Sequence, residues 1–288
     1  MKDMILVTGA TGTVGHNVME TLVAAGQPTR AAARTPDRIA ARPGVETVRL
    51  DFQDHDTFAP ALEGVSGVFL MRPPQLADME TTLIPFLHAC QHHAVSHISF
   101  LSLIGVERNR RVPHHAVERA LADSSIPYTS LRAGYFMQNL TGFLAEDIRE
   151  RDQIYVPAGR GRTSFVDASD IAELAALTLC APDRHGAQAY NLTGPQALDY
   201  RQVASILSRI LGRPIRYAQP SHRAFRSEML RRGIEPDFVK VLSMLFWPVK
   251  LGMAAKVYPD TARLLNRAPT RLEQFIERNA DCWRRAEP

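Results

Sequence analysis

Two patterns of apolar residues alternate along about the first 135 residues of the chain. Short uninterrupted apolar runs, such as 4–7 and 65–71, are typical of strands buried on both faces of a sheet. Between the runs, apolar residues recur at helical spacing, as do Val14, Val18 and Leu22. The pattern predicts strands over 4–7, 30–34, 45–50, 65–71, 97–103 and 128–132, and helices over 14–25, 58–62, 79–93 and 113–123. This alternation predicts an α/β fold, a doubly wound parallel sheet with helices on both faces.

Beyond about residue 135 the alternation weakens. The pattern there predicts strands over 163–166, 189–192 and 215–218, and helices over 169–179, 200–211 and much of the chain from 221 onward. We therefore expect a nucleotide-binding domain over 1–135, to which a strand and a helix return from 160–195. The remainder, 136–288, is expected to be a smaller, mostly helical substrate-binding region that does not fold independently.

Three glycines separate the first predicted strand from the first helix: Gly9, Gly12 and Gly15. Gly9 permits a tight turn, Gly12 lets the backbone approach a pyrophosphate, and Gly15 lets the helix pack close to the strand. The N–H groups and the dipole at the helix start then attract phosphates. The context predicts a Rossmann-type dinucleotide site formed by Gly9, Thr11, Gly12, Thr13, Val14 and Gly15. The alternative is a glycine-rich turn that binds no ligand.

The residue after the second strand indicates which dinucleotide binds. An NAD site usually has an Asp or Glu about 20 residues beyond the glycines, but this chain has Arg34 there and Arg38 four residues later. A guanidinium pairs with a 2′-phosphate, which a carboxylate would repel, so we expect NADP(H). The alternative is that Arg34 only caps a surface strand. The other expected cofactor contacts are Asp51 and Phe52 beside the adenine, and Met71 and Arg72 near the middle of the cofactor.

Composition excludes several classes of function. The net charge is +4, and the basic residues are scattered without a dense run, so we expect no nucleic-acid partner. Three cysteines far apart in the sequence argue against a disulfide framework or a zinc site, so we expect no metal and a cytoplasmic location. The N-terminal apolar run is too short for a signal peptide. The late apolar stretch 238–257 is interrupted by lysines and a proline, so we expect no membrane association.

A set of motifs over nearly the whole chain resembles the NmrA-like branch of the atypical short-chain dehydrogenase/reductases. The motifs are the glycine turn, Arg34, Asp51-Phe52, Ser99-Phe100-Leu101-Ser102, Pro127-Tyr128-Thr129, Gly134-Tyr135-Phe136-Met137-Gln138-Asn139, Phe165-Val166-Asp167 and Asn191-Leu192-Thr193-Gly194-Pro195. That branch includes NADPH-dependent quinone reductases, dye and imine reductases, and catalytically silent redox-sensing regulators. The resemblance implies an NADP(H)-binding fold, while the motifs are not specific for one reaction.

The resemblance also identifies the positions at which orthodox short-chain dehydrogenases have their Ser, Tyr and Lys. Ser102 matches the serine, but His115 stands at the Tyr position and Arg119 at the Lys position. Residues four apart on a helix share a face. We expect Arg119 to hold the nicotinamide ribose and His115 to donate a proton or bind substrate, because imidazole titrates near neutrality. The alternative is that His115 is a surface residue at a helix start.

Residues after the sixth strand are expected to line the substrate pocket. Tyr135, Phe136 and Asn139 follow the carboxyl end of that strand, where ligands of a parallel sheet bind. Core packing is the competing explanation for Phe136. Later helices carry Phe225, Met229, Phe238, Met244, Phe246 and Trp247, which suit either a roof over the pocket or a subunit contact. The sequence therefore leaves a homodimer open.

The predicted function is an NADPH-dependent oxidoreductase that reduces a small, flat, apolar acceptor (a quinone, an imine or a dye-like compound) by hydride transfer. Such acceptors need less proton donation than a ketone, which is compatible with the missing Tyr and Lys. The alternative is a non-catalytic NADP(H)-binding redox sensor, which the missing pair favours and the retained Ser102 disfavours. A nucleotide-sugar epimerase is the weakest hypothesis, because that chemistry needs the Tyr/Lys pair.

Overall fold

The structure is a computed structural model that describes residues 4–285. The chain folds into two compact units. The strands in that range are β1 (Met4–Val7), β2 (Thr29–Ala33), β3 (Val45–Arg49), β4 (Val65–Met71), β5 (His97–Leu103), β6 (Tyr128–Ala133), β7 (Tyr135–Phe136), β8 (Gln153–Ile154), β9 (Arg162–Val166), β10 (Gln188–Leu192), β11 (Ala197–Asp199) and β12 (Arg216–Tyr217). The helices are α1 (Thr13–Ala24), α2 (Phe58–Leu62), α3 (Leu83–His92), α4 (Pro113–Asp123), α5 (Ala145–Arg151), α6 (Ala168–Cys180), α7 (Pro182–His185), α8 (Tyr200–Leu211), α9 (His222–Arg231), α10 (Pro236–Lys250), α11 (Asp260–Leu265) and α12 (Leu272–Arg278).

The first unit contains the chain up to Ala133, together with 168–192 and 263–266. Its described strands form a seven-stranded parallel sheet in the order β10-β6-β5-β4-β1-β2-β3. The strand order reverses at β1, which lies between β4 and β2, and doubly wound sheets bind ligands at this switch point. The predicted doubly wound α/β fold is therefore confirmed, with β10 as a seventh strand beside β6.

Helices cover both faces of this sheet. On one face α2, α3 and α4 contribute Phe58, Phe86 and Leu121 to a core that they share with residues of β4 and β5. On the other face α1 packs against α6, a helix that forms after the chain has passed through part of the second unit. The hydroxyls of Ser99 and Thr178 are 2.6 Å apart and join β5 to α6. Burial on both faces explains why the strands have uninterrupted apolar sequences.

The second unit contains 134–167, 193–262 and the chain from residue 267 onward. Its strands form two small sheets in the described range, β11-β9-β7 and β12-β8. Aromatic side chains fill much of its core, among them Phe225, Phe246 and Trp283. Trp283 is fully buried and donates its indole N–H to the carbonyl oxygen of Leu140 at 3.0 Å. This bond ties the end of the described chain to the helical turns that follow β7.

The third helix differs from the sequence pattern at its start. The pattern predicts a helix over 79–93, but α3 begins at Leu83. The hydroxyl of Thr82 donates to the carbonyl of Asp78, and the carboxylate of Asp78 accepts a hydrogen bond from the N–H of Glu80. These bonds between side chains and backbone hold the segment as a turn, because they compete with helical hydrogen bonding.

Candidate functional site

At the glycine turn after β1, neighbouring atoms lie too close to two of the glycines to leave room for a Cβ. Gly9 has a φ of +65°, and a Cβ built on it would lie 2.5 Å from the sulfur of Met71. A Cβ on Gly15 would lie 2.3 Å from the carbonyl oxygen of Gly9. Helix α1 therefore packs directly on the end of β1, and only glycine fits at both positions.

Helix α1 begins with backbone N–H groups that no side chain caps. Gly12 is the N-cap residue, and its own N–H donates to the carbonyl oxygen of Gly9 at 2.9 Å. No described side chain caps the helix, and its first turn contains no acidic residue. Thr11 and Thr13 are exposed, whereas Val14 is buried. A glycine cradle at an uncapped helix start suits a pyrophosphate, so these residues fit a dinucleotide.

Two arginines extend into solvent from the end of β2. Arg34 directly follows the strand, and Arg38 belongs to a single helical turn four residues later. Both side chains are exposed, and neither forms an ion pair or a hydrogen bond with another residue in 4–285. Two guanidinium groups without partners at the carboxyl end of a strand form a positive site for an anionic group such as a phosphate.

Asp51 and Phe52 present different groups after β3. Asp51 is half-buried, and its carboxylate accepts a hydrogen bond from the N–H of Gln53 at 3.1 Å. The ring of Phe52 is buried in the core, edge-on to the ring of Phe86 with the ring centres 5.2 Å apart. The structure therefore leaves the backbone of Phe52, and not its ring, for contact with a ligand.

The ends of β4 and β5 carry buried polar atoms that lack partners. Arg72 donates from Nη1 to three carbonyl oxygens of the following loop, those of Pro73 at 3.0 Å, Pro74 at 3.2 Å and Leu76, while its Nε is buried without a partner in the described chain. The hydroxyl of Ser102 is likewise buried and unpartnered there. Because Met71 of β4 pairs with Leu101 of β5, Arg72 and Ser102 come at the same level of the sheet. Buried polar atoms without partners are unfavourable, so a bound ligand would stabilise this edge.

His114, for which the sequence predicts no role, belongs to the same cluster of buried polar atoms without partners in the described range. It lies one turn before the buried Val117 of α4, and its ring centre is 5.9 Å from that of Phe100. Its Nδ1 is buried and has no partner within 4–285. Burial and the guanidinium of Arg72 lower the pKa of His114 to about 4, so the ring is neutral near pH 7. The helical spacing of His114, Val117 and Leu121 is the sequence signal that would have revealed its burial.

His115 and Arg119, the predicted catalytic residues of α4, have other contacts than His114. Nδ1 of His115 lies 3.1 Å from the carbonyl oxygen of Val106, and only a protonated Nδ1 can donate to that oxygen. In neutral His115 the other nitrogen, Nε2, is therefore a hydrogen-bond acceptor, and proton donation from Nε2 requires the imidazolium form. Arg119 is exposed, with its guanidinium 3.8 Å from the carboxylate of Asp123.

Glu118 forms an ion pair with Arg132 at the end of β6. Its two carboxylate oxygens accept hydrogen bonds from Nε and Nη2 of Arg132 at 3.0 and 2.6 Å, and both side chains are largely buried. Arg132 also lies 3.3 Å from the carboxylate of Glu107. Since Arg132 pairs in register with Ser102, these contacts fix the end of β6 beside the end of β5.

The predicted pocket residues belong to the second unit. Tyr135, Phe136 and Asn139 are half-buried, and Met137 between them is a core residue. The hydroxyl of Tyr135 donates to the carbonyl oxygen of Leu245 in α10, and burial raises the pKa of Tyr135. Tyr135 therefore acts as a packing and hydrogen-bonding residue and not as an acid.

The later aromatic and methionine residues divide into two groups. One group is buried in the core of the second unit and consists of Phe225, Met229 and Phe246. The other group is exposed to 47–61% and consists of Phe238, Met244 and Trp247. Only the second group is therefore available to a ligand or a partner.

The described range contains neither a cluster of metal-binding side chains nor a membrane-spanning helix. Within 4–285, no three or more His, Cys, Asp and Glu side chains are grouped so that they could hold a metal ion. The cysteines are free thiols, of which Cys90 is buried and the other two are exposed. None of the helices in this range combines the length and the apolar character needed to cross a bilayer.

Known proteins resemble this chain in both sequence and fold. The model of the NmrA-like family matches residues 1–275. The NAD(P)H azoreductase of Xenophilus azovorans is 32% identical over 289 residues, which cover 96% of this chain and 98% of that protein.

Two solved structures extend the comparison. The NADPH-dependent quinone oxidoreductase of Escherichia coli, in complex with NADPH, is 24% identical with a TM-score of 0.87, over 96% of this chain and 100% of that one. The negative transcriptional regulator NmrA, in complex with NADP, is 16% identical with a TM-score of 0.78, over 96% of this chain and 94% of that one. At these identities the two structures establish likeness of fold.

Proposed function

Since the chain belongs to the NmrA-like family, we propose that it is an NADPH-dependent oxidoreductase that reduces a small, flat, apolar acceptor by hydride transfer. The observation that carries the proposal is the glycine turn, where the absence of a Cβ at Gly15 lets the uncapped start of α1 pack directly on the backbone at the end of β1. The azoreductase relative supports both the cofactor and the class of reaction. Quinones, imines and dye-like compounds have the flat apolar shape that the proposal requires.

Residues of the first unit divide the binding of NADP(H) among them. The glycine turn and the start of α1 bind the pyrophosphate through backbone N–H groups. Arg34 and Arg38 pair with the 2′-phosphate, because their guanidinium groups have no other described partner. Asp51 and the backbone of Phe52 bind the adenine, and Met71 and Arg72 lie along the middle of the cofactor. When bound, NADPH supplies the hydride that reduces the acceptor.

The buried atoms without partners complete the polar contacts at the ends of β4 and β5. Ser102 donates or accepts one hydrogen bond through its hydroxyl, and Arg72 donates from Nε. His114, kept neutral by burial and by Arg72, forms a hydrogen bond to a ligand without adding charge. These three groups orient a ligand and exclude water instead of transferring a proton.

The remaining predicted residues keep the roles that the sequence assigns to them. His115 binds the substrate or, as imidazolium, donates a proton from Nε2, while its Nδ1 stays bonded to the carbonyl of Val106. Arg119 holds the nicotinamide ribose. Tyr135, Phe136 and Asn139 provide the aromatic and amide surface of the acceptor pocket.

Calorimetry with NADPH, NADP⁺ and NADH tests the cofactor assignment. We expect NADPH to bind more tightly than NADH, and Arg34→Ala to weaken NADPH binding about tenfold or more with little change for NADH, because a hydrogen bond to a charged group contributes about 1.5–3 kcal/mol. Arg49→Ala is a matched control, since Arg49 is already paired with Asp54 at 2.9 Å. Failure to bind any dinucleotide would refute the proposed function.

A second candidate is an NADP(H)-binding sensor that signals without turnover. It is favoured by His and Arg at positions 115 and 119 and by the fold likeness to the regulator NmrA. Absorbance of the dihydronicotinamide separates the two functions. If this absorbance falls only after an acceptor is added, the protein is a reductase. If NADPH binds tightly but is not oxidised by quinone, imine or dye acceptors, the protein is a sensor.

A further inference from the structure

An apolar surface on the second unit stays exposed along α10. Met244, Trp247 and Leu251 recur at spacings of three and four residues, so they form one stripe along the helix. Their exposed fractions are 61%, 47% and 67%. The opposite side of α10 is also apolar and includes the core residues Leu242 and Phe246. A helix that is apolar on both sides is usually covered on both, so the exposed stripe calls for a ligand or a partner.

Trp247 forms one layer of an aromatic stack. The ring of His222 lies parallel to the indole, with the ring centres 4.2 Å apart and the planes inclined by 8°. Nδ1 of His222 is 3.3 Å from the hydroxyl oxygen of Ser243, and its Nε2 is buried without a partner in the described range. Trp247 still exposes about half of its surface, so a flat ring can stack on it.

The surroundings of Trp247 are positively charged. The segment 238–259 contains three lysines and no Asp or Glu. Among the lysines, Lys250 places its ammonium 5.3 Å from the centre of the Trp247 ring.

A fourth cation is brought to the same end of α10 by a tight loop contact. A Cβ on Gly161 would lie 1.8 Å from the carbonyl oxygen of Val249, so the loop containing Arg160 packs directly on the helix. Arg160 is exposed and forms no ion pair within 4–285. Cations without neighbouring carboxylates create a positive potential that attracts anions.

We propose that this surface, made of Met244, Trp247 and Leu251 with Lys250 and Arg160, extends the acceptor pocket from Tyr135, whose hydroxyl donates to the carbonyl oxygen of Leu245 in the same helix. We infer that the acceptor is a flat aromatic compound with a negatively charged substituent. The apolar ring lies on Trp247 and Met244, and the anionic substituent lies beside the two cations. This inference rests on the proposed function and narrows its substrate class. A second copy of the chain suits the surface less well, because a symmetric contact would bring the same lysines together.

Tryptophan fluorescence of the full chain measures the binding directly. The chain has two tryptophans, and Trp283 is fully buried, so a ligand on α10 quenches Trp247. The probes are menadione and the naphthoquinone sulfonate in which a sulfonate replaces its methyl group. We expect the sulfonate to bind about fivefold more tightly than menadione, a preference that fades at high salt. Trp247→Phe should abolish the quenching.

Substitution of Lys250 isolates the electrostatic part of the proposal. Lys250→Gln should remove the preference for the sulfonate and leave menadione binding unchanged. Lys240→Gln is the matched control, because it removes the same charge from the same helix about 15 Å away along the axis, beyond the screening length at physiological salt. The control should keep the preference.

Several outcomes would overturn the inference. The inference is wrong if the two quinones bind equally, or if the Lys250→Gln protein still prefers the sulfonate. If NADPH is nevertheless oxidised with both quinones, the proposed function stands. Loss of the proposed function is recognised separately by the absence of NADPH binding in calorimetry. The inference is also wrong if the chain forms a dimer in which Trp247 is shielded from quenching. It is likewise wrong if phosphatidylserine vesicles shift the emission of Trp247 more than the sulfonate does.

Discussion

Replacement of Gly15 with alanine tests whether the close packing of α1 on β1 creates the dinucleotide site. In an ordinary helix interior this exchange stabilises a protein by about 1 kcal/mol, because alanine has the higher helix propensity. Here the new Cβ would lie 2.3 Å from the carbonyl oxygen of Gly9, 2.6 Å from its carbonyl carbon and 2.9 Å from the carbonyl oxygen of Thr8. All three are backbone atoms, so the clash is relieved only if α1 moves away from β1.

The clash outweighs the gain in helix propensity. A clash with three backbone atoms belongs at the upper end of the roughly 1–3 kcal/mol that overpacking in a core costs. Less the gain of about 1 kcal/mol in helix propensity, the net loss is about 2 kcal/mol, so we expect the Tm of Gly15→Ala to fall by roughly 4–8 °C. The same displacement moves the N–H groups at the start of α1 away from the phosphates. Because each hydrogen bond to a charged group contributes about 1.5–3 kcal/mol, NADPH binding should weaken at least about tenfold.

Gly12→Ala separates binding from stability. Its Cβ meets only the carbonyl oxygen of Gly9, at 3.3 Å, so the Tm should stay near that of the wild type while NADPH binding falls. Scanning calorimetry with and without NADPH measures both effects, since a ligand at a hundred times its Kd stabilises a protein by about 2.7 kcal/mol. If Gly15→Ala keeps both the wild-type Tm and the rise in Tm with NADPH, the reasoning is refuted.

Two histidines give further predictions. Burial and the neighbouring His185 lower the pKa of His97 to about 4. The free energy of unfolding should therefore fall by up to about 3 kcal/mol as the pH drops from about 6.5 to 4. Urea unfolding at several pH values measures this fall, and His97→Gln should make the stability depend less on pH. His114→Asn should lower kcat/KM about tenfold by the same factor at every pH between about 6 and 8, because His114 stays neutral over that range.

The sign of the first effect follows from the protonation states. Thr129 donates its hydroxyl proton to the carbonyl of His185, so His97 donates from Nε2 to Thr129, and its Nδ1 is left buried without a described partner. The folded protein therefore resists protonation of His97, while the unfolded chain takes up a proton below about pH 6.5. Stability is thus present above this pH and lost below it. An unchanged pH dependence in His97→Gln would contradict the assignment.

For His114 the matched comparison is its neighbour on the same helix. His115→Asn removes the bond to the carbonyl of Val106 and the predicted proton donor, so it should also lower kcat/KM. A loss in His114→Asn that varies with pH would show that His114 changes its charge during turnover.

Strand β5 and helix α4 show what the sequence pattern determines. Both occupy their predicted ranges, 97–103 and 113–123. A proline in the first turn is favourable at the start of α4. The apolar residues of β5 do not recur at helical spacing, so the pattern there predicts only a strand. The start of α3 was not predictable in this way, because the bonds of Asp78 and Thr82 that hold the preceding turn depend on local geometry.

The candidate site divides along similar lines. The glycine turn can be read from the sequence because each glycine meets a local steric requirement. The ring of His114 lies beside Phe100 and its pKa is lowered by the charge of Arg72; both residues belong to other elements, so helical spacing alone does not identify these neighbours. The exposure of Trp247 and the burial of Phe246 likewise depend on which side of α10 the core covers.

The return of α6 and β10 to the first unit has a consequence for the order of events during synthesis. Until the ribosome has passed Leu192, β6 is an edge strand with unpaired backbone groups, and the side of α1 that α6 covers is open. The nucleotide-binding half therefore cannot complete its sheet before the chain has traversed 134–167, which belong to the second unit. A fragment that ends near residue 135 contains every residue of the glycine turn and yet lacks the means to finish the scaffold that holds it.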